Sequence, residues 1–477
     1  MRDASFKPTS QPTSDQGISR RDLLHGASLG IAASVGAGLL STFGYGQRPG
    51  TSASPARETS PAALTPDSMP TKFSQAEYDR RWRRLRDLMK ESELDCLIVP
   101  NGESDTTYLT GSGSGWVVFP QDGKVTQIVD PRNILRSAGK DPYNITLLRG
   151  GTFQNDAGVE LRPDGRPAES VTGNAEGGHW SAAIIDSLRE KGMSRARIGV
   201  ANMVGVFRNY EGGVSYTTLD RVRKAFPQAQ FDSAHDVLMR AQLVKGPEEI
   251  EVLEKATAVA ELGCQAMFET ARPGVSLREV WIAMYERMLR ASGLPGTIAF
   301  SIHGVRTSEP NTPHGSTASG YILRAGDVMI EEITGYVMGY GAQVDHPVCV
   351  GAPAPKEWTK TAQDSIDMFY SVLEFIAPGK SMKEINDYVL KVMTAKGYKE
   401  GTTKVVFNMG SGPRMGPNRK EGMNLVVEEG WYINALKPAA YLPSNGFVID
   451  FGDPVVVTDK GARRLAKRKL EVLTLGA

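Results

Sequence analysis

Apolar residues recur at helical spacing in the first stretch that reads as folded. In FSQAEYDRRWRRLRDLMKESEL, Tyr78, Trp82, Leu85, Leu88 and Met89 fall on one face of a 3.6-residue period. Ser74 stands three positions before Glu77, the spacing of a capping box. DCLIVP, WVVFP and KVTQIVD are short apolar runs that predict strands, the last two joined by the turn QDGK. IGVAN and the helical VSYTTLDRVRKAF carry the alternation to about Ala234, which predicts an α/β domain. A longer helical tract follows. It opens on Pro247-Glu248-Glu249, with proline and acids in the first turn, and ends at ARPG.

Two later segments repeat one another. PGVSLREV (Pro273 to Val280) and PGKSMKEI (Pro378 to Ile385) are each preceded by one helical pattern and followed by another. A duplicated unit of this kind, with strands after each copy, predicts two related halves packed together.

The N-terminus changes the picture of where the chain works. SRRDLL (Ser19 to Leu24) precedes GASLGIAASVGAGLLSTFG, and an arginine pair before a mildly apolar Gly/Ala-rich stretch reads as a twin-arginine export signal. No clean A-x-A site follows, so a retained membrane anchor stays open. The expected organisation is a signal or anchor over 1–45, a Pro/Ser/Thr-rich linker over 46–72, and domains over 73–238 and 239–477. A periplasmic or exported location follows from that reading. Lys and Arg number 55 and Asp and Glu 54, so nothing in the charge points to nucleic acid. The expected partners are a small-molecule substrate and a copy of the chain itself. Cys96, Cys264 and Cys349 lack metal or disulfide spacing; Cys96 and Cys349 sit in apolar runs as small buried strand residues.

The order of YDRRWRRLRDLMKESELDCLIVP, RAQLVKGPEEIEVLEKA, the repeated PGxSxxE unit and GDVMIEE…GYGAQVDHPVCVG resembles the creatinase/aminopeptidase P/prolidase family, from Phe73 to the C-terminus. The resemblance implies an N-terminal creatinase-like α/β domain and a duplicated C-terminal "pita-bread" domain, with the active site between its halves. It also implies a homodimer in which the N-terminal domain helps to close the partner's site.

Metal-dependent members of that family hold two divalent ions with two Asp, one His and two Glu. Carried over, those positions read Glu332, Gln343, Ser411, either Leu436 or Lys437 before Pro438, and either Gly452 or Asp450. The last choice depends on whether one counts back from Thr458 or forward from Gly446. Two hard divalent cations need several anionic or imidazole ligands. Gln, Ser, Leu and Lys supply none of them well, so the expectation is no metal and no cofactor.

The family also contains metal-independent members, creatinase and enzymes similar to ectoine hydrolase, which hydrolyse C–N bonds of small polar molecules. Their proton-shuttling histidine corresponds to His314 in SEPNTPHG. Side chains alternate along a strand, so Gln343 and Asp345 share one face and His346 takes the other. The expected catalytic set is therefore His314, Asp345 and Glu332, with Gln343, Arg414 and Ser411 binding substrate. Glu331, on the face opposite Glu332, reads as structural, and Lys437 could bind an anion or act as a base if buried. The leading function is an exported, metal-independent hydrolase of C–N bonds. An Xaa-Pro aminopeptidase or dipeptidase, a lyase, and a non-catalytic binding protein are the alternatives.

Overall fold

The short apolar runs of the first half pair edge to edge. The computed structural model describes residues 64–100, 104–111, 115–129, 145–150, 180–206, 209–304, 320–398, 403–409, 424–442 and 448–477. His314, Ser411, Arg414 and the arginine-pair segment lie outside the described residues. β1 (Cys96–Val99) is central, antiparallel to β2 (Trp116–Pro120) and parallel to β5 (Arg197–Val200). β3 (Val125–Val129) and β4 (Ile145–Gly150) extend one edge, and β8 (Gln230–Ser233) the other. β6 (Val204–Val206) and β7 (Asn209–Glu211) form a separate hairpin. Alternate residues of β1 feed two cores. Leu97 and Val99 pack with α1 (Gln75–Glu91) and α2 (Ser104–Thr110); Cys96 and Ile98 pack with α3 (Ser181–Glu190) and α4 (Tyr216–Ala225). α5 (His235–Leu243) leads out of this domain.

The rest of the chain is built twice. α6 (Pro247–Thr270) and α7 (Leu277–Ser292) precede β9 (Thr297–Gly304), β10 (Asp327–Val337), β11 (Tyr340–Val344) and β12 (Val348–Val350). α8 (Lys356–Phe375) and α9 (Met382–Ala395) precede β13 (Thr403–Met409), β14 (Tyr432–Tyr441), β15 (Val448–Asp450), β16 (Asp453–Thr458) and β17 (Gly461–Arg464). β18 (Leu473–Leu475) returns to pair in parallel with β12 in the first half. The repeated PGxSxxE segments fold alike in detail. Ser276 and Ser381 each cap a helix in a capping box, with Glu279 and Glu384. Gly274 and Gly379 take left-handed φ of 89° and 87°, which glycine adopts without strain. Each glycine N–H then bonds to a carbonyl downstream, Leu323 in one copy and Val427 in the other. The duplication read from sequence is thus a duplication of backbone hydrogen bonding.

Two expectations need correction. The linker expected to run to residue 72 gives way to folded chain earlier. Met69 is buried, Leu64 packs on the first-half core, and Lys255 Nζ donates to Ser68 O. The capping box expected at Ser74 is half-formed: Ser74 Oγ accepts from Glu77 N, but the Glu77 carboxylate is taken by Arg80 and Arg81. Glu248 of α6 bonds Ser74 N instead, at 2.8 Å.

That diversion builds the junction between the two domains. Arg80 and Arg81 of α1 meet Glu249 at the start of α6, and Glu249 also accepts from Tyr340 Oη at 2.8 Å and from Gly246 N. Burial alone would raise the Glu249 carboxyl, but Arg81, Lys245 and Arg80 outweigh it and hold it at about 2. Cys96, Cys264 and Cys349 are free and buried, and burial pushes the Cys96 thiol up to about 12. Such thiols are poor nucleophiles.

Candidate functional site

The hairpin that presents the candidate acids is fixed by its turn. Met338 and Gly339 both have positive φ, 53° and 79°, and they alone separate β10 from β11. A two-residue turn of this kind matches the twist of the flanking strands and sets their register. Gln343 therefore stands opposite Thr334, and Asp345 follows just beyond β11. Alternation does the rest. Gln343 Nε2 donates to Asp345 Oδ1 at 3.2 Å, while His346 turns away to lie edge-on between Phe268 and Phe451.

The second half meets this strand at its end. Asp345 and Gly452 exchange backbone hydrogen bonds, Asp345 N to Gly452 O at 2.9 Å and Gly452 N to Asp345 O at 3.3 Å. Asn434 Oδ1 accepts from Gln343 N. Into this seam β14 sends Lys437. A bulge between Ile433 and Leu436 shifts the register of β14 by inserting an extra residue. This bulge resolves the ambiguity in the sequence: Leu436 is buried in the second-half core, and Lys437 is the side chain that enters the site.

Lys437 Nζ lies 2.7 Å from Glu332 Oε1 and 2.9 Å from Asp345 Oδ1. The side chains of Lys437 and Asp345 are 1% exposed, whereas Glu332 is 45% exposed and faces outward. Asp450 is buried and acts on both buried partners by its charge. Burial works against the Lys437 ammonium, yet Asp345, Asp450 and Glu332 outweigh it and hold the amine above its ordinary range. Glu332 and Asp345 thus share one ammonium, with the charge of Asp450 acting on the pair. Burial pushes the Asp345 carboxyl up to about 8; Lys437 opposes that shift, and Glu332 and Asp450 add to it.

A second polar layer lies behind this cluster. Arg468 Nη2 donates to Asp345 O at 2.9 Å and to Gly452 O at 3.3 Å, and its other arm pairs with Asp453 at 2.5 Å. One guanidinium thus ties together the strand ends of both halves. Glu331 Oε1 accepts from His346 N, and burial pushes its carboxyl well up. His346 bonds Glu471 O through Nε2 and is held down at about 3 by burial and by Arg468. His346 lies away from Gln343 and Asp345, as strand alternation implied.

The positions that the resemblance would fill with metal ligands do not suit a pair of divalent ions. Glu332 is an acid, but Gln343 is neutral, Lys437 is a cation seated between the acids, and Gly452 has no side chain. Among the described residues no three His, Cys, Asp or Glu side chains are set to hold a metal. A Cβ at Gly452 would stand 2.7 Å from Lys437 Cγ and closer still to Asp345 Oδ2, so position 452 points into the site. Gly452→Ala should accordingly destabilise the protein by about 1–3 kcal/mol through overpacking. Urea unfolding at pH 7 measures it, and an unchanged midpoint would mean that Lys437 and Asp345 yield freely.

Of the residues singled out in the sequence, Glu332, Gln343 and Asp345 come together. Lys437 is the centre of the group, although its place was ambiguous in the sequence. Its signal was a lysine beside Pro438 where a carboxylate was expected, and the bulge hid its register.

Comparison with known proteins agrees with this architecture. Residues 81–244 match the Creatinase/Prolidase N-terminal domain and residues 251–459 match Metallopeptidase family M24. An Xaa-Pro dipeptidase from Pyrococcus furiosus is 26% identical, over 55% of this chain and 74% of its own length. An ectoine hydrolase from Halomonas elongata is 22% identical, over 83% of this chain and 96% of its own. Among solved structures, an Xaa-Pro dipeptidase from Bacillus anthracis superposes with a TM-score of 0.65 at 19% identity, covering 83% of this chain and all (100%) of that one. The α/β domain, the doubled domain behind it and these matches place the chain in the creatinase/aminopeptidase P/prolidase family.

Proposed function

We propose that this member of a hydrolase family cleaves a C–N bond in a small nitrogen-containing molecule, with the Lys437 ammonium serving the carboxylates where a metal would otherwise stand. The observation that carries this reading is the contact of the buried Lys437 Nζ with both the outward-facing Glu332 and the buried Asp345, at 2.7 and 2.9 Å. In the reaction, water adds to the carbon of the C–N bond, and the bond to nitrogen breaks as the nitrogen takes up a proton. Asp345, held at about 8, carries a proton at neutral pH and supplies it to the leaving nitrogen. His314 takes the proton from water. Lys437 stays charged and fixes the two acids in place. Glu332, which faces outward, and Gln343 receive the N–H groups of the substrate. Ser411 and Arg414 belong to the same proposal as substrate contacts, the guanidinium of Arg414 clamping a carboxylate. Export through the arginine-pair segment and assembly as a homodimer are part of it too.

A second reading has its own support. Most of the named curated relatives that match are dipeptidases or peptidases, and the Xaa-Pro dipeptidases among them weigh towards a metal-dependent peptidase. One experiment separates the two. Purified protein, with its metal content measured, is offered Xaa-Pro dipeptides and a panel of small amidino, guanidino and amide compounds, with and without a chelator. Chelator-insensitive turnover of a small compound, with a hydrolysed product, lost in His314→Ala and Asp345→Asn, is the expected result. Cleavage of Xaa-Pro dipeptides that depends on added manganese or cobalt would replace this reading with the peptidase. An eliminated product would point to a lyase, and binding without turnover to a binding protein.

A further inference from the structure

We infer that Lys437 and Gly452 together form a device that excludes divalent cations, and that removing the ammonium opens a divalent-cation site at Glu332 and Asp345. The inference rests on the reading that Lys437 rather than a metal serves these carboxylates, and it adds what enforces that choice.

The exclusion is steric as well as electrostatic. The Lys437 ammonium occupies the point where Glu332 and Asp345 converge, 2.7 and 2.9 Å from their oxygens. These are the distances of charge-assisted hydrogen bonds. A divalent ion would need those same carboxylate oxygens at about 2.0–2.6 Å, so ammonium and ion cannot share the seat. Asp450 adds a third charge that the lysine balances. Gly452 completes the arrangement. Any side chain there would meet Lys437 Cγ and the Asp345 carboxylate, so a carboxylate cannot stand at 452 while the lysine stem passes it. The two substitutions therefore depend on one another: the glycine makes room for the stem, and the stem brings the charge. Arg468 reaches this seam through the backbone carbonyls of Asp345 and Gly452.

The seat is also built to persist without the lysine. Asp345 is held at its backbone by Gly452 and Arg468, and Gln343 supports its side chain. Taking the ammonium away leaves the Glu332 and Asp345 oxygens converging on one point, with the charge of Asp450 adding to them, an arrangement that costs free energy unless a proton or another cation relieves it.

Manganese titration of the full chain tests this, by calorimetry and by the shift of the unfolding temperature. Wild type is expected to bind no ion stoichiometrically at millimolar manganese. Lys437→Glu is expected to bind manganese at least about tenfold tighter than wild type and to unfold at a higher temperature with the ion than without. Lys437→Gln, which keeps the volume and removes the charge, serves if the first variant folds poorly; it should show the same shift in smaller size. Adding Asp345→Asn to either variant should abolish the binding, which locates it. Stoichiometric binding by wild type that Asp345→Asn removes would overturn both this inference and the metal-free reading. Wild type without binding and variants equally without it would overturn this inference alone.

Discussion

Lys437→Met lowers the unfolding free energy by about 1–3 kcal/mol at pH 7, the usual cost of leaving a buried polar partner unsatisfied. The lysine and Asp345 are both fully enclosed, so water cannot take over from the missing ammonium. The loss grows with pH, and the sign follows from Asp345. Its carboxyl is raised in the folded protein, so its contribution to stability is complete below about pH 4 and falls away as pH climbs towards 8. Without Lys437 the opposing influence of the ammonium is gone and the carboxyl rises further. The fall then continues past pH 8, by about 1 kcal/mol for each further unit. Urea unfolding at pH 7 and pH 9, followed by tryptophan fluorescence, should show a larger deficit at pH 9. The double variant with Asp345→Asn should recover part of it at pH 9, because no buried acid then remains to ionise without a cation. A deficit that is small and flat with pH would mean that the pair is solvated and carries little of the site.

Glu249→Gln should cost more, about 3–5 kcal/mol, because here the buried acid is ionised at pH 7. Glu249 is the shared anion of Arg80, Arg81 and Lys245 at the junction of the two domains, and it also receives the Tyr340 hydroxyl. A neutral amide of the same shape leaves those cations facing one another. Here the pH sign is reversed. The carboxyl is held at about 2, below its unfolded value, so its contribution is complete above about pH 4.5 and is lost as pH falls towards 2. Wild type and variant should therefore differ fully at pH 7 and converge between pH 4.5 and 3 in thermal unfolding. Equal stability at pH 7 would show that the junction rests on apolar contacts such as Phe73 against Tyr340 instead. α1 and α6 meet at this cluster, so the variant should also expose the segment before α6 to proteolysis.

The two variants weaken different parts of the molecule, and comparing them is informative. Lys437→Met acts at the seam between the two halves and should abolish turnover. Glu249→Gln acts at the domain junction, contacts no residue of the site, and should leave turnover measurable at temperatures where the protein stays folded.

What could be read from the chain alone was whatever depends on local order. Apolar periodicity marked α1 and the strands of the first sheet, and the PGxSxxE repeat announced two halves, because caps and tight turns are set by residues a few positions apart. Strand alternation likewise put Gln343 with Asp345, and Glu331 and His346 on the far side. The capping box at Ser74 misled for the opposite reason: Glu77 has stronger partners in Arg80 and Arg81, and Glu248, distant in sequence, took its place. Lys437 needed the folded protein. A bulge in β14 moves it by one position relative to a simple count, and its partners Glu332 and Asp345 are about a hundred residues away along the chain. Which side chains share a buried seat, and therefore which charges must be balanced there, is fixed by how the two halves close on each other.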